Sequence, residues 1–262
     1  MGINQPSHPS TSISTSDNDT ITVMGHDLVE EIIGELSFTE MMYFLCCKRK
    51  PLEFEEKILN ACLVTLMEHG INPSTIVTRI VSDSVPNEPQ VAIAAGLLNV
   101  GGVFAGTSEQ CAKMLIDLSS KVESEGIQSI RKFSEDLLSS KTPIAGFGHL
   151  HHKPDDPRSV KLFEVAKKAG GPKKFMDLIL KLSNEIDQIK GKHITINATG
   201  AIAALMLDIG VPVDAIRSFS VVSRSAGLAA HLLEEKNNPT ARAIWRESRK
   251  TVPYVNNKVG KL

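Results

Sequence analysis

The chain has 262 residues, 42% of them hydrophobic, so it can bury a sizeable core as one large domain or a domain with a smaller one attached. Its formal net charge of −1 speaks against a general nucleic-acid or membrane-surface binder, since both need a basic field. The four cysteines have no C-x-x-C spacing, which speaks against a zinc ribbon or a disulfide framework. Reduced, structural thiols are expected, and with them a cytoplasmic setting.

Residues 1–22 are polar and rich in Ser and Thr. They lack the basic and apolar regions of a secretory signal and read as a disordered arm. "HDLVEEIIGELSFTEMMYFLCCKRKP" reads as a short helix, a Ser37 N-cap and a second helix stopped by Pro51. In "LEFEEKILNACLVTLMEHG", Ile58, Leu59, Cys62, Leu63 and Leu66 recur at three- and four-residue steps, an amphipathic helix that Gly70 closes. Asn72 and Pro73 open the next helix as N-cap and first-turn proline. "NEPQVAIAAGLLNVGG" is small and apolar nearly all round, which predicts a buried central helix. Two further helices start at Thr107 or Ser108 and at "IQSIRKFSEDLLSS". After a glycine- and proline-rich loop, helical periodicity returns in five segments. Period-two alternation is nearly absent, "HITIN" being the one strand-like piece. The fold expected is all-α, with about ten helices. No apolar run reaches the roughly 20 residues that a membrane span needs.

The loop is "GFGHLHHKPDDPRS". Pro154 and Pro157 keep a helix from crossing it. Gly146 and Gly148 permit unusual backbone angles or a close backbone approach. His149 can polarise a carbonyl or move a proton. Arg158 can grip a carboxylate or phosphate with two parallel hydrogen bonds. A solvated polar loop is the plain alternative. On "SRSAGLAAHLLEE", Arg224, Gly227 and His231 share one helix face. The glycine there leaves room for a ligand or, more commonly, for a neighbouring helix. His69 sits in the last turn of its helix, where a dipole preference alone explains a histidine.

These segments, in this order, resemble the citrate synthase superfamily. "GFGHLHHKPDDPR" is similar to its G-F-G-H…D-P-R motif, and "EHGINPST" to its D-H-x-x-N-x-S-T segment. "GLLNVGGVFAG" is similar to G-P-L-H-G-G-A-N-E, "ITINATG" to N-V-D-x-x-S-G, and "FSVVSRSAGLAAH" to F-x-x-S-R-x-x-G-W-x-A-H. Chain length and the GLLNVGGVFAG segment point to the citryl-CoA lyase branch, which includes the C-terminal module of ATP-citrate lyase. The resemblance implies a helical bundle with a large domain, residues 23–158 and 191–262, the latter ending in a C-terminal dimer arm. A small helical subdomain would span 159–190.

It also implies roles. His149 would hold the keto or hydroxyl oxygen of the oxo-acid half, with His69 bonded to the same ligand. Arg158 and Arg224 would clamp its carboxylates, and Arg249 would reach a partner subunit's site. The backbone around Ile144, Gly146, Phe147 and Gly148 would lie beside the thioester arm of coenzyme A, with Lys153 near its phosphates. Implied ligands are a di- or tricarboxylate and a CoA thioester, with no metal. Implied partners are a second copy of the chain and a citryl-CoA synthetase-type subunit. The apolar GLLNVGGVFAG segment suits a subunit interface, and a buried intrachain helix accounts for it equally well.

Two positions depart from the synthase pattern. Phe104 stands at the histidine of G-P-L-H-G, as in the lyase branch. Thr199 stands at the aspartate of N-V-D-x-x-S-G, and its alcohol is far too weakly basic to replace a carboxylate. Three readings follow: a citryl-CoA type lyase with rerouted proton transfer, a lyase or synthase for another 2-hydroxyacyl-CoA, or a catalytically weak binding homologue. For rerouting, the candidate carriers are His149, His151, His152, Asp155, Asp208 and a bound water.

Overall fold

Capping side chains punctuate the chain and set where four of its helices begin. A computed structural model describes residues 9–102 and 106–255. Among them three short antiparallel strands, β1 (Ser14–Ser16), β2 (Ile21–Val23) and β3 (His26–Asp27), form a meander that a single π-type turn (Leu28–Ile32) continues. Eleven α-helices follow: α1 (Phe38–Cys47), α2 (Glu53–Met67), α3 (Pro73–Ser84), α4 (Pro89–Leu97), α5 (Thr107–Glu125), α6 (Ser129–Ser139), α7 (Pro157–Ala169), α8 (Lys174–Lys190), α9 (Ala198–Asp208), α10 (Val213–Asn237) and α11 (Ala241–Thr251). The all-α expectation holds. Ser37 caps α1 reciprocally with Glu40. Asn72 caps α3, Asp156 caps α7 and Asn197 caps α9, each through its side-chain oxygen.

Three expectations change. Residues 1–8 of the expected arm lie outside the described residues, and residues 9–22 instead supply β1 and the start of β2, joined by a turn in which Asp17 Oδ1 accepts from the amides of Asp19 (2.9 Å) and Thr20 (2.8 Å). "HITIN" forms no strand, and Ile196 makes only an isolated bridge to Phe147. The helix expected at the centre, α4, buries only Ala92 and Gly96, and Leu98 just beyond it is 87% exposed.

The central helix is α9. Ala198 and Gly200 through Met206 are all buried, and the helix packs on α2, α5, α7 and α8. Such small side chains let backbones approach closely, and this brings the GFGH loop onto the start of α9. Gly146 lies at φ +85°, and a Cβ there would meet Cys111 Sγ at 2.5 Å and Gly200 Cα at 2.8 Å. Gly146→Ala therefore combines left-handed strain of about 1–2 kcal/mol with overpacking of about 1–3 kcal/mol. We expect a loss of roughly 2–5 kcal/mol in urea unfolding, the sum of those two costs.

Asp208 ends α9 and accepts from the amides of Phe175 (2.8 Å) and Met176 (2.9 Å) at the start of α8. Its carboxylate serves a cap and lines no part of the site below, so it drops out as the substitute proton carrier. Burial pushes this carboxyl up to about 6 despite the two amide donors. A raised folded value means the native state holds a proton that the unfolded chain has released. The stability it contributes is present at low pH and fades as pH rises toward 6. Asp208→Asn is expected to flatten that dependence, which urea midpoints at pH 4.5 and 7 would show.

Candidate functional site

Two loops ended by caps bring the titratable groups together. The turn between α2 and α3 presents His69 and closes on the Asn72 cap. The loop before α7 presents His149, His151 and His152 and closes on the Asp156 cap. Arg158 sits in the first turn of α7, Thr199 in the first turn of α9, and Arg224 in the middle of α10. A cavity of about 610 Å³ is lined by His69, Asn72, Gly148, His149, His151, Arg158, Asn197, Thr199 and Arg224, with Thr65, Leu66 and Thr107 among the rest. The ring centroids of His69 and His149 are 6.1 Å apart.

Each cation has a different environment. Asp156, fully buried, accepts from Arg158 at both oxygens: Nη2 to Oδ2 at 2.8 Å and Nε to Oδ1 at 3.0 Å. Burial works to raise the Asp156 carboxyl. The Arg158 side chain and amide, with the amide of Ala198, outweigh it and hold the group below the usual carboxylate range. Arg158 is thereby aimed, with Nη2 at 3.3 Å from His149 Nε2. Arg224 is different. It is 7% exposed, and its Nη1 is buried with no hydrogen-bond partner. Burial, then the nearby Arg158, lowers its affinity for its proton, and Glu68 partly offsets this. A buried guanidinium nitrogen that faces a cavity without a partner can take a carboxylate or phosphate oxygen.

Two of the imidazoles are pushed toward the neutral form. Burial, then His152 and Arg158, lower His149, and burial, then Arg158 and His149, lower His69. His149 Nδ1 accepts from the amides of His152 (2.9 Å) and His151 (3.1 Å), which assigns the ring proton to Nε2. Ring nitrogens of His69, His149 and His152 lie within 4.8 Å of one another, a grouping able to hold a transition metal. The Arg158 guanidinium beside His149 opposes a dication there.

Among the described residues, no Asp or Glu lines the cavity. Thr199 Oγ1 donates to Asn197 Oδ1 at 2.7 Å and lies 2.8 Å from Thr107 Oγ1. Its proton is committed to Asn197, so Thr107 is the donor in the second contact.

Other expected residues lie elsewhere. Phe104 is outside the described residues. Phe147 packs in the core with Ile144 against it, and Gly146 is buried on α9, so of that stretch Gly148 alone lines the cavity. Lys153 and Arg249 are exposed and away from it, Arg249 in the last turn of α11. Asp155 pairs with His193 at 3.1 Å, on the surface. Gly227 serves a close helix crossing, since a Cβ there would strike the backbone oxygen of Met67 on α2. Sequence reasoning missed Asp156, Glu68 and Arg79. The D-P pair ahead of Arg158 was the available signal for the first.

Fold and site define a helical protein with a pocket lined by arginines and histidines and built from five separate segments. Solved structures share the fold. A citryl-CoA lyase from Hydrogenobacter thermophilus superposes with a TM-score of 0.84 at 29% identity, covering 97% of this chain and 96% of that one. An ATP citrate lyase from Methanosaeta concilii, solved with (3S)-citryl-CoA, gives 0.79 at 19% identity, covering 98% of this chain and 43% of that one. A citrate synthase from Heyndrickxia coagulans is 27% identical over 209 residues, 79% of this chain and 54% of its own length. The chain spans about half the length of the curated relatives it matches. The family model for the citrate synthase C-terminal domain matches residues 15–248. The chain belongs to the citrate synthase family. Among the described residues, no helix is long and apolar enough to cross a membrane.

Proposed function

We propose that the chain is a coenzyme A-dependent carbon–carbon lyase of the citryl-CoA type, releasing acetyl-CoA and an oxo acid such as oxaloacetate. The observation that carries this reading is the cavity itself, where the partnerless Arg224 and the aimed Arg158 face His69 and His149. The likeness to a citryl-CoA lyase across nearly the full length of both chains supports it.

In this reading Arg158 and Arg224 pin the carboxylates, and positioning of this kind supplies several kcal/mol, up to roughly 7–11 in ideal cases. His149 donates from Nε2 to the oxygen on the carbon that becomes the keto carbon. His69, neutral, takes the hydroxyl proton. The electron pair of that O–H forms the carbonyl, and the breaking C–C bond leaves its pair on the acetyl thioester as an enolate. That enolate needs a proton on its methyl carbon. With no carboxylate lining the cavity, the carriers available there are imidazoles, hydroxyls and solvent.

In this reading Gly148 would lie beside the thioester arm of coenzyme A, and Lys153, on the exposed flank of the same loop, would meet its phosphates. We further assign residues 159–190 as a small subdomain and the chain as a homodimer whose α11 delivers Arg249 to the other copy. The exposed Trp245, Val252 and Tyr254 of that arm suit such a contact. A citryl-CoA synthetase-type subunit remains a candidate partner. Four free thiols, two of them fully buried, suit the cytoplasm.

A second reading is favoured by Thr199, whose hydroxyl is tied to Asn197: a homologue that binds the acid and turns over slowly. Release of free coenzyme A and acetyl-CoA from a panel of hydroxyacyl-CoA thioesters, read by product mass, separates the two. Citryl-CoA cleavage to acetyl-CoA and oxaloacetate is the expected result. Thermal shifts with citrate, oxaloacetate and coenzyme A test binding alone, because a ligand at 100 times its Kd adds about 2.7 kcal/mol. No shift with any of them would remove both readings.

A further inference from the structure

Glu68 lies one residue before His69 and has left the helix, as the C-cap of α2 in an extended conformation. Its Oε1 accepts from the amides of His69 (2.8 Å) and Gly70 (2.5 Å). Its Oε2 lies 3.0 Å from His231 Nε2, across on α10. His231 Nδ1 accepts from Arg79 Nε at 3.0 Å, on α3. An arginine only donates, so this assigns the His231 ring proton to Nε2, pointing at Glu68. Every member of the chain then has one direction: Arg79 donates to His231, His231 donates to Glu68, and Glu68 receives two backbone amides. Arg79 is 1% exposed, and its other donors go to Glu235 (2.7 Å), Thr240 (3.1 Å) and Glu234. It is therefore fixed from several sides.

We propose that Glu68 is the positioning residue for His69, with His231 and Arg79 as the buried support that holds Glu68 in place. The proposal rests on the reading of the cavity as an acid site and adds how one imidazole is aimed there. The α2–α3 turn has few other restraints. Asn72 fixes its far end through the Gly70 carbonyl and the α3 cap. Gly70, at φ +74°, offers no side chain to pack. Without Glu68 the amides of His69 and Gly70 lose their acceptor, and the imidazole loses its fixed distance to His149. The support also continues outward. Glu235, which Arg79 binds, caps the start of α11 by accepting from the amides of Thr240 (2.6 Å) and Ala241 (2.7 Å). One buried arginine thus joins the His69 turn to the root of the C-terminal arm.

Two measurements on the full chain test this. The first needs no ligand. Amide hydrogen exchange at His69 and Gly70 is expected to speed up at least tenfold in Glu68→Gln, whose NH2 would meet the His231 Nε2–H donor, and in His231→Leu, which makes no hydrogen bond at all. Unchanged protection in both would overturn the proposal. The second is a double-mutant cycle on oxaloacetate affinity. Glu68→Gln is expected to weaken binding about tenfold in the parent and less than twofold in a His69→Ala background, as required if Glu68 acts through His69. An equal loss in both backgrounds would show a merely structural role and overturn it. Should Glu68→Gln fail to fold, His231→Leu replaces it in the cycle with the same pattern expected. A parent chain that binds no oxaloacetate sinks the acid-site reading instead, and the exchange experiment still decides the positioning.

Discussion

Arg224→Gln is expected to abolish the thermal upshift that oxaloacetate gives the parent chain and to lower kcat/KM for citryl-CoA cleavage by about 10²–10³, while leaving the ligand-free protein as stable as before or more so. The opposite signs are the point. Nη1 of Arg224 is buried without a partner, and burial already depresses the guanidinium's hold on its proton. Replacing an unpaired buried cation with a neutral amide removes a desolvation cost from the free protein. The same change leaves a bound carboxylate buried opposite no charge, and breaking one side of a buried pair costs about 3–5 kcal/mol. A purely structural arginine would behave the other way, losing stability with no effect on ligand. Arg158 makes the contrast. Its guanidinium is bonded at two points to Asp156, which also caps α7, so Arg158→Gln is expected to lower stability and binding together. Urea unfolding with and without oxaloacetate, alongside steady-state cleavage, separates the two arginines.

What the residues reveal in advance depends on how local the physics is. The cap at Asn72, followed by proline, was read directly, whereas the Asp156 cap carries the same signal and was passed over; together they place both loops of the site. The meeting of His69, His149, Arg158 and Arg224 followed from family motifs, because no local pattern says that residues 155 positions apart share a cavity. The start of the chain was misread for want of weighing its hairpin signal: "STS" and "ITV" are β-branched or hydroxyl-rich runs flanking an Asp-Asn-Asp turn. The apolar helix α4 was misplaced for a deeper reason. Periodicity reports which residues avoid water, not which surface covers them, and α9 and α4 look alike on that measure. The packing decides between them: α9 touches five helices, whereas α4 lies mainly on α3 and α10 with Val91 and Leu98 outward. The Arg79–His231–Glu68 chain was illegible too, since each member is an ordinary polar residue until its distant partners are known.

Thr199→Asp is expected to raise kcat for citryl-CoA cleavage by about 10²–10⁴, the usual contribution of a positioned general acid or base, with little change in oxaloacetate affinity. Position 199 is in the first turn of α9, where unpaired amides and the helix dipole favour a carboxylate. Its side chain already faces the cavity, and Thr107 Oγ1, 2.8 Å away, would donate to the new oxygen. Asn197 Oδ1 is the one group that opposes the change. It accepts from Thr199 now and would face an acceptor afterwards, but it keeps its bond to the Gly200 amide at 3.1 Å. The native hydroxyl has no spare proton to give and is too weak a base to take one, so Thr199→Ala is expected to change kcat by less than about tenfold, well below a catalytic base's usual share. The pair of variants decides between the two functional readings. If aspartate brings no gain and alanine abolishes cleavage, the threonine itself carries the proton and the rerouting through imidazoles is wrong. If the parent is nearly inactive and aspartate restores cleavage, the chain is a binding homologue one side chain away from a lyase.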